Sequence, residues 1–343
     1  MSKKLVYLIS ICCLLLLVTA CNNNQETTTE DNETQNSSAD ANANWPDENI
    51  TLIVPYSVGG SADRQARALA PFLEDELGVS IIIENREGGS GAVGTMTHFQ
   101  SDPADGTHLI YQSHPHFESG VVRGAGFDFE DFAYLGITHS SPITYWVSQD
   151  SPFETLEDLL TEIESNPNSL SYGMLPASWS DISIKMVLDA LGLEARAVPF
   201  DGGGPLRTAL LGNQVDFIAT DVEGTLAGAG DDLRPLAIFN EEPYEHAPEI
   251  PLINEELANM GHDVSFPAIS NMRFIQVKQE FKEQYPDRWE ILSEAFQNAV
   301  ENPEFIEWGT AQSMYLNWTN EEETNKFLSE SIEVIRSYED LFQ

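Results

Sequence analysis

The chain has 343 residues, 56 Asp plus Glu against 16 Lys plus Arg, a formal net charge of −40 and 41% hydrophobic residues. So few cations cannot build the basic footprint that displaces counterions from nucleic acid, nor a polybasic patch for anionic lipid. The ordinary apolar content excludes an acidic disordered chain throughout, and the length allows one large or two medium domains.

Lys3 and Lys4 precede the apolar run Leu5–Val18, and the first acidic residue is Glu26. A basic start, an apolar stretch too short to span a bilayer comfortably and a small-residue site read as a secretory leader. The site itself, Val18-Thr19-Ala20-Cys21, resembles a bacterial lipobox. Residues 1–20 are therefore expected to be a lipoprotein signal peptide, with Cys21 the lipidated N-terminus of the mature chain; the plainer alternative is an ordinary leader ending near a cysteine. Cys12, Cys13 and Cys21 are the three cysteines, so a disulfide is not expected in the folded body. Residues 21–44 carry no aromatic or large aliphatic side chain and read as an acidic flexible tether. Without these 44 residues the body still carries 51 acidic and 14 basic side chains, so the charge belongs to the globular part.

From Trp45-Pro46 onward, β-like runs alternate with helical patterns. Strands are expected at Ile50–Pro55, Val79–Glu84, His108–Gln112, Thr144–Ser148, Ser169–Gly173, Ala195–Phe200, Phe217–Thr220 and Leu233–Phe239. Helices are expected at Ala62–Leu77, closed by Gly78, and at Thr155–Ser165, Asp181–Leu191, Pro205–Leu211, Pro286–Glu301 and Asn320–Leu341. This alternation predicts an α/β architecture with parallel sheets covered on both faces.

Two glycine clusters carry the chemistry. Pro55-Tyr56-Ser57-Val58-Gly59-Gly60-Ser61-Ala62-Asp63 joins the first strand to the first helix; Ser61 can cap that helix, whose free N–H groups suit an anion. The plain reading is a tight turn with a capped helix. Gly88-Gly89-Ser90-Gly91-Ala92-Val93-Gly94 contains Gly89-x-Gly91-x-x-Gly94, the dinucleotide string, but Asn85-Arg86-Glu87 separate it from its strand. The fingerprint needs its first glycine directly behind the strand, so a loop presenting amides to a small anion is the better reading. His114-Pro115-His116 suggests a metal pair only weakly, because the proline holds the side chains apart and no second ligand cluster accompanies them. No zincin, Walker or nucleophile-elbow motif occurs, so neither catalysis, a cofactor nor a metal is expected.

These segments, taken in order, resemble the receptors of tripartite tricarboxylate transporters, the Bug family. The resemblance rests on Ile50–Tyr56, Gly59–Asp63, Ala66-Arg67, Glu84–Arg86, Gly88–Gly91 and Asp102–Leu109. It continues through Leu170–Gly173, Val198–Phe200, Gly202–Pro205, Leu210–Gly212, Gln214–Asp216, Leu233–Ala237 and Ala247–Pro251, and weakens after about Phe266. It implies a type II periplasmic-binding-protein fold, a two-lobe Venus flytrap, with lobe 1 formed by residues 45–143 and 268–343 and lobe 2 by 144–267. It further implies a small, carboxylate-type solute held largely by amides, hydroxyls and water, with little reliance on arginine. The implied ligand-binding residues are Tyr56, Ser57, Gly60, Ser61, Asp63, Ser90, Gly91, Ser113 and His114 on lobe 1, and Ser178, Trp179, Ser180, Gly203 and Gly204 on lobe 2.

Two departures weaken transfer of the ligand class. Ile182 stands where the family usually has His, and Asp201 where a lysine often precedes the glycine run. Trp179 either covers a ligand face or packs against the other lobe, and Arg64 and Arg123 are further possible carboxylate partners. The expected protein is thus a monomeric, lipid-anchored extracytoplasmic receptor that delivers its solute to membrane permease subunits. The rival is a lipoprotein that reports the same ligand to a membrane sensor; adjacent permease or histidine-kinase genes would separate the two.

Overall fold

The computed structural model describes residues 45–339 apart from 177, so the leader, the tether and Cys21 lie outside the described residues. The first run of the body is built on β1 (Ile50–Val54), α1 (Ser61–Leu77), β2 (Ile81–Asn85), α2 (Ala92–Ser101), β3 (His108–His114) and α3 (His116–Val122), and ends in β4 (Phe132–Ser148). β1 pairs in parallel with β2 and β3. Leu52, Ile53 and Val54 are all fully buried, as expected for a strand covered on both faces. α1 turns Ala66, Leu69, Ala70 and Leu73 inward and closes at Gly78 in the left-handed conformation.

The chain then builds α4 (Leu156–Ser165), β5 (Ser171–Met174), α5 (Trp179–Leu191), β6 (Arg196–Pro199), α6 (Gly203–Leu211), β7 (Phe217–Asp221), α7 (Val222–Ala229), β8 (Leu233–Ile238) and α8 (Ile253–Asn259). It returns through β9 (Ser270–Lys278), α9 (Gln279–Gln284), α10 (Pro286–Val300), α11 (Pro303–Ala311), β10 (Leu316–Thr319) and α12 (Glu321–Ser337).

β4 is the structural spine. Its first part pairs antiparallel with β9 and β10, and its last residues pair antiparallel with β7 (Ile143–Val147) and β8 (Thr144–Ser148). One strand therefore belongs to two sheets, β2-β1-β3-β9-β4 on one side and β4-β7-β5-β6 on the other. The chain crosses back where Ile143 N–H donates to the Ile269 carbonyl and Ile269 N–H to that of Phe239. Each sheet has its own apolar core: Leu52, Leu69, Tyr111, Phe296 and Phe305 in the first, Tyr145, Leu159, Ile184, Phe217 and Phe239 in the second. The C-terminal helix joins them, with Leu328 and Ile332 in a cluster of the first lobe and Ile335 in the core of the second.

The expectation of parallel sheets holds only in part. Parallel pairing holds for β1 with β2 and β3, and for β5 with β6 and β7; every pairing of β4, and that of β3 with β9, is antiparallel. The physical cause is the double crossing: a strand that leaves one sheet for the next and a strand that returns must run in opposite directions.

Candidate ligand-binding site

A cavity of about 1030 Å³ opens between the two sheets, lined from both. Its first-lobe wall begins at the β1–α1 turn. Asp63, 2% exposed, accepts from Gly59 N–H at 2.8 Å, from Asn85 Nδ2 at 3.0 Å and from Arg67. Burial alone would raise its pKa, but these donors outweigh it and hold the carboxyl below its ordinary value. Asp63 thus shapes the turn from behind, and Gly60 takes the N-cap position expected of Ser61. That leaves the first N–H groups of α1 without a side-chain cap at the cavity.

Arg273, on β9, completes this wall. Its guanidinium donates to Ser113 Oγ at 2.8 Å, to Ser61 Oγ at 2.9 Å and to the Met272 carbonyl at 2.9 Å. Behind it, Tyr56 Oη donates to Gln112 Oε1 at 3.1 Å and accepts from Ser113 N–H at 3.2 Å, and Gln112 Nε2 donates to Thr95 Oγ1 at 2.7 Å. Burial raises the Tyr56 phenol well above its usual range, against opposition from Arg273. His116 also lines the cavity; burial, then the Arg273 charge, lowers its pKa to about 3, so the ring is neutral.

The second-lobe wall is made by the start of α6, the β5–α5 turn and α7. Gly202 is the N-cap of α6 without a side-chain cap, and Gly203, Gly204 and Pro205 follow it along the cavity. Ser178 Oγ accepts from Ser180 N–H at 3.2 Å and Ser180 Oγ from Leu175 N–H at 2.7 Å, so both hydroxyls already hold their own turn. Arg207 lines the cavity with no hydrogen-bonded or ion-paired partner among the described residues. A buried carboxylate, Glu223, ties the walls together: it accepts from His139 Nε2 at 2.7 Å, from the Tyr244 hydroxyl and from Tyr315 N–H at 3.1 Å.

The structure brings Gly60, Ser61, Ser113, Ser178, Ser180, Gly203 and Gly204 to the cavity wall and leaves the other expected residues off it. Asp63 and Tyr56 stand behind the wall for the reasons above. Ser57 is exposed and bonds Glu87 at 2.5 Å. Ser90 and Gly91 lie in the second glycine cluster, whose amides turn inward: Gly91 N–H and Val93 N–H both donate to the Gly88 carbonyl. The glycines of that cluster have a packing reason of their own. Gly91 has φ +95° with the Tyr56 ring 3.0 Å from where a Cβ would sit, and a Cβ on Gly94 would collide with the Arg86 carbonyl. His114 and Trp179 are buried against each other, Trp179 Nε1 donating to His114 Nε2 at 2.7 Å, so the tryptophan packs across to the first lobe. This bond requires a lone pair on Nε2 and places any single ring proton on Nδ1, 2.9 Å from Glu118. Arg64 lines the cavity, whereas Arg123 donates to the Ser119 carbonyl away from it.

Sequence reasoning missed Arg207, Arg273, His139 and Asn271, and weighed His116 only as half of a metal pair. None of those four sits in a motif, and Arg273 reaches Ser61 across 212 positions of chain.

The sequence pattern described as tripartite tricarboxylate transporter family receptor matches residues 65–337. The chain belongs to that family. Among curated relatives, this receptor is 27% identical to protein BugT of Bordetella pertussis over 62% of its own length and 66% of the relative's. It is 26% identical to an Agrobacterium vitis protein, over 63% and 64% respectively. The receptor thus spans just under two thirds of these relatives. Its fold matches a solute-binding protein from Polaromonas with a TM-score of 0.71 at 21% identity, covering 86% of this chain and 99% of that one. It also matches MatC of Rhodopseudomonas palustris, solved with bound malate, at 0.71 and 20% over 87% and 100%, and a second protein of that species, solved with adipate, at 0.69 and 21% over 87% and 98%. The family is one of extracytoplasmic solute-binding proteins, not enzymes, and the two-lobe α/β fold is theirs. Among the described residues no helix is long and apolar enough to cross a membrane.

Proposed function

We propose that this receptor captures a small carboxylate between its lobes and delivers it to the membrane subunits of a tripartite permease. One observation carries the reading: the cavity receives uncapped helix N-termini from both sides, α1 with Gly60 and Ser61, and α6 with Gly203 and Gly204. Such termini offer free N–H groups and a partial positive charge to an anion. The malate- and adipate-bound relatives support the ligand class.

A solute touching both walls stabilises the closed arrangement over the open one, which is how binding becomes a signal for the permease. In this reading lobe 1 comprises residues 45–143 and 268–343 and lobe 2 residues 144–267, and the mature protein is a monomer held at the outer face of the membrane by lipid on Cys21. The net charge of −40 does not oppose an anionic ligand, because exposed charges beyond a Debye length of roughly 8–10 Å are screened while donors at the cavity act at contact.

The test is a thermal-shift screen of the purified folded body against di- and tricarboxylates, aromatic acids, amino acids and metal ions. A ligand that binds only the native state raises the melting temperature. A shift with carboxylates supports the proposal; no shift with any carboxylate defeats it.

A further inference from the structure

The acidic charge of the body is divided almost evenly between its lobes. In the division above, lobe 1 carries 29 acidic and 10 basic residues, a net −19, and lobe 2 carries 22 and 4, a net −18. The ion pairs of Arg67, Arg86, Lys185, Lys282 and Arg336 among the described residues each stay within one lobe. The pair of His139 with Glu223 does cross, but it is buried at the junction and offsets none of the exposed charge. That charge extends to the borders of the cavity on both sides. On lobe 1, exposed Glu87 bonds Ser57 in the β1–α1 turn, and exposed Glu307 stands next to Trp308 of the cavity wall. On lobe 2, exposed Asp201 directly precedes the uncapped start of α6, and exposed Asp231 follows α7, whose Ala227 and Gly228 line the cavity.

Closing the cavity therefore brings two bodies of like charge together. The range of their repulsion is set by the Debye length, roughly 30 Å at 0.01 M salt, 10 Å at 0.1 M and 3 Å at 1 M. At the first value each lobe lies in the field of the other; at the last the field ends at its own surface. The donors available to an anion act differently. Arg273 already holds its serine oxygens at 2.8 and 2.9 Å, and contacts of that length are shorter than the screening length throughout. Four arginines and Asp221 line the cavity, whereas the body as a whole is −37. Added salt thus removes more repulsion between the lobes than attraction inside the cavity.

We propose that like-charge repulsion between the lobes holds this receptor open, and that ionic strength licenses closure on the solute. The inference rests on the carboxylate-receptor reading and on the lobe division above, and adds a control to them. Its sign is the reverse of simple ion pairing, which salt weakens: an anionic solute binds more tightly as salt rises. Screening could also help the solute approach an acidic protein, but that acts on association. Repulsion between closed lobes acts on the complex already formed, so salt slows dissociation.

The test measures binding by calorimetry and dissociation by stopped flow at 0.01, 0.1 and 0.5 M sodium chloride. The probes are malate and adipate, together with the carboxylate of largest thermal shift where that is a third compound. From the lowest to the highest salt, affinity should rise at least about tenfold and dissociation slow at least about fivefold. Choline chloride at matched ionic strength should give the same slopes, since screening does not depend on the cation. A variant carrying Glu87→Gln, Glu307→Gln, Asp201→Asn and Asp231→Asn should bind more tightly than the parent at 0.01 M and show a flatter salt dependence. Four changes of the same charge on α4 and α10, which contribute no described residue to the wall, should flatten it less: Glu154→Gln, Glu157→Gln, Glu290→Gln and Glu294→Gln. All eight side chains are exposed, and melting curves at each salt confirm that both variants are folded. Dissociation that is flat or faster with salt overturns the inference and leaves the receptor reading standing. So does a slope seen with sodium but not choline, or one unchanged by the four border substitutions. No binding by any carboxylate at any salt overturns the receptor reading as well.

Discussion

The two walls of the cavity are built on different principles. The first-lobe wall is supported from behind by a connected polar network: Asp63 grips Gly59, Asn85 and Arg67, and Tyr56, Gln112 and Thr95 form a chain that fixes Ser113 and, through it, Arg273. The second-lobe wall is a glycine-rich helix start without a cap and an arginine with no described partner. Satisfied buried networks rigidify, while glycines and unpaired long side chains leave freedom to adjust. The difference teaches a division of labour. One wall is a prebuilt anion seat, and the other is free to set which solute completes the closed form.

If that contrast holds, damage behind the first wall should cost far more stability than any change on the second. Asp63→Ala has the largest expected effect. It removes a buried carboxylate that satisfies three donors, so unfolding in urea should show a loss of about 2–4 kcal/mol. The pH dependence carries the same sign. Because the folded pKa lies below the ordinary value, the stabilisation is present above about pH 4 and is lost as pH falls through the lower folded value. Tyr56→Phe is next. Gln112 Oε1 loses its donor and Ser113 N–H its acceptor, at an expected cost of about 1–3 kcal/mol on the same measurement.

These expectations separate what was readable in the chain from what was not. β1 and α1 announce themselves, because a short apolar run meets a helical stripe of Ala66, Leu69, Ala70 and Leu73 that Gly78 stops. α12 likewise runs from its Asn320 cap, within the described residues, close to where the pattern predicts. Phe132–Ser141 was not readable as strand, since Gly136 and the polar run Thr138-His139-Ser140-Ser141 break its apolar pattern. Those polar groups are tolerated by tertiary partners, such as Glu223 for His139, that lie far along the chain. β9 hides in the same way, its Arg273 pointing to serines of other elements. The glycine clusters looked alike as strings. Only the fold distinguishes the one that opens α1 on the cavity from the one whose amides close on Gly88. The arginines escaped notice because cavity placement is a property of topology, not of local pattern.

A smaller effect probes the floor of the first wall. His116 is neutral when folded, with a pKa lowered to about 3, whereas an exposed histidine titrates near 6.5. Between these values the unfolded chain binds a proton that the folded chain does not, so stability rises with pH across that window. The slope from this group is at most about 1.4 kcal/mol per pH unit, and it vanishes above the unfolded value. In His116→Asn the decline in melting temperature from pH 6.5 towards pH 4 should be shallower than in the parent. Superimposable profiles would show that the ring is hydrated and not part of the supported wall.

The smallest effect belongs to the second wall. Gly204 is the second residue of α6, lines the cavity and has no atom within 4 Å of where a Cβ would project. Its φ is not in the left-handed region, so alanine fits the backbone and lowers the entropy of the unfolded chain. Gly204→Ala should therefore leave the ligand-free protein as stable as the parent or more stable, by less than about 1 kcal/mol. The methyl group nonetheless occupies solute space beside the free N–H groups of the helix, so affinity for the best-binding carboxylate should fall in calorimetry while stability does not. A loss of stability approaching that of Asp63→Ala would mean that the glycine run is held as firmly as the first wall. Specificity would then have to come from two rigid faces meeting, rather than from one seat and one adjustable partner.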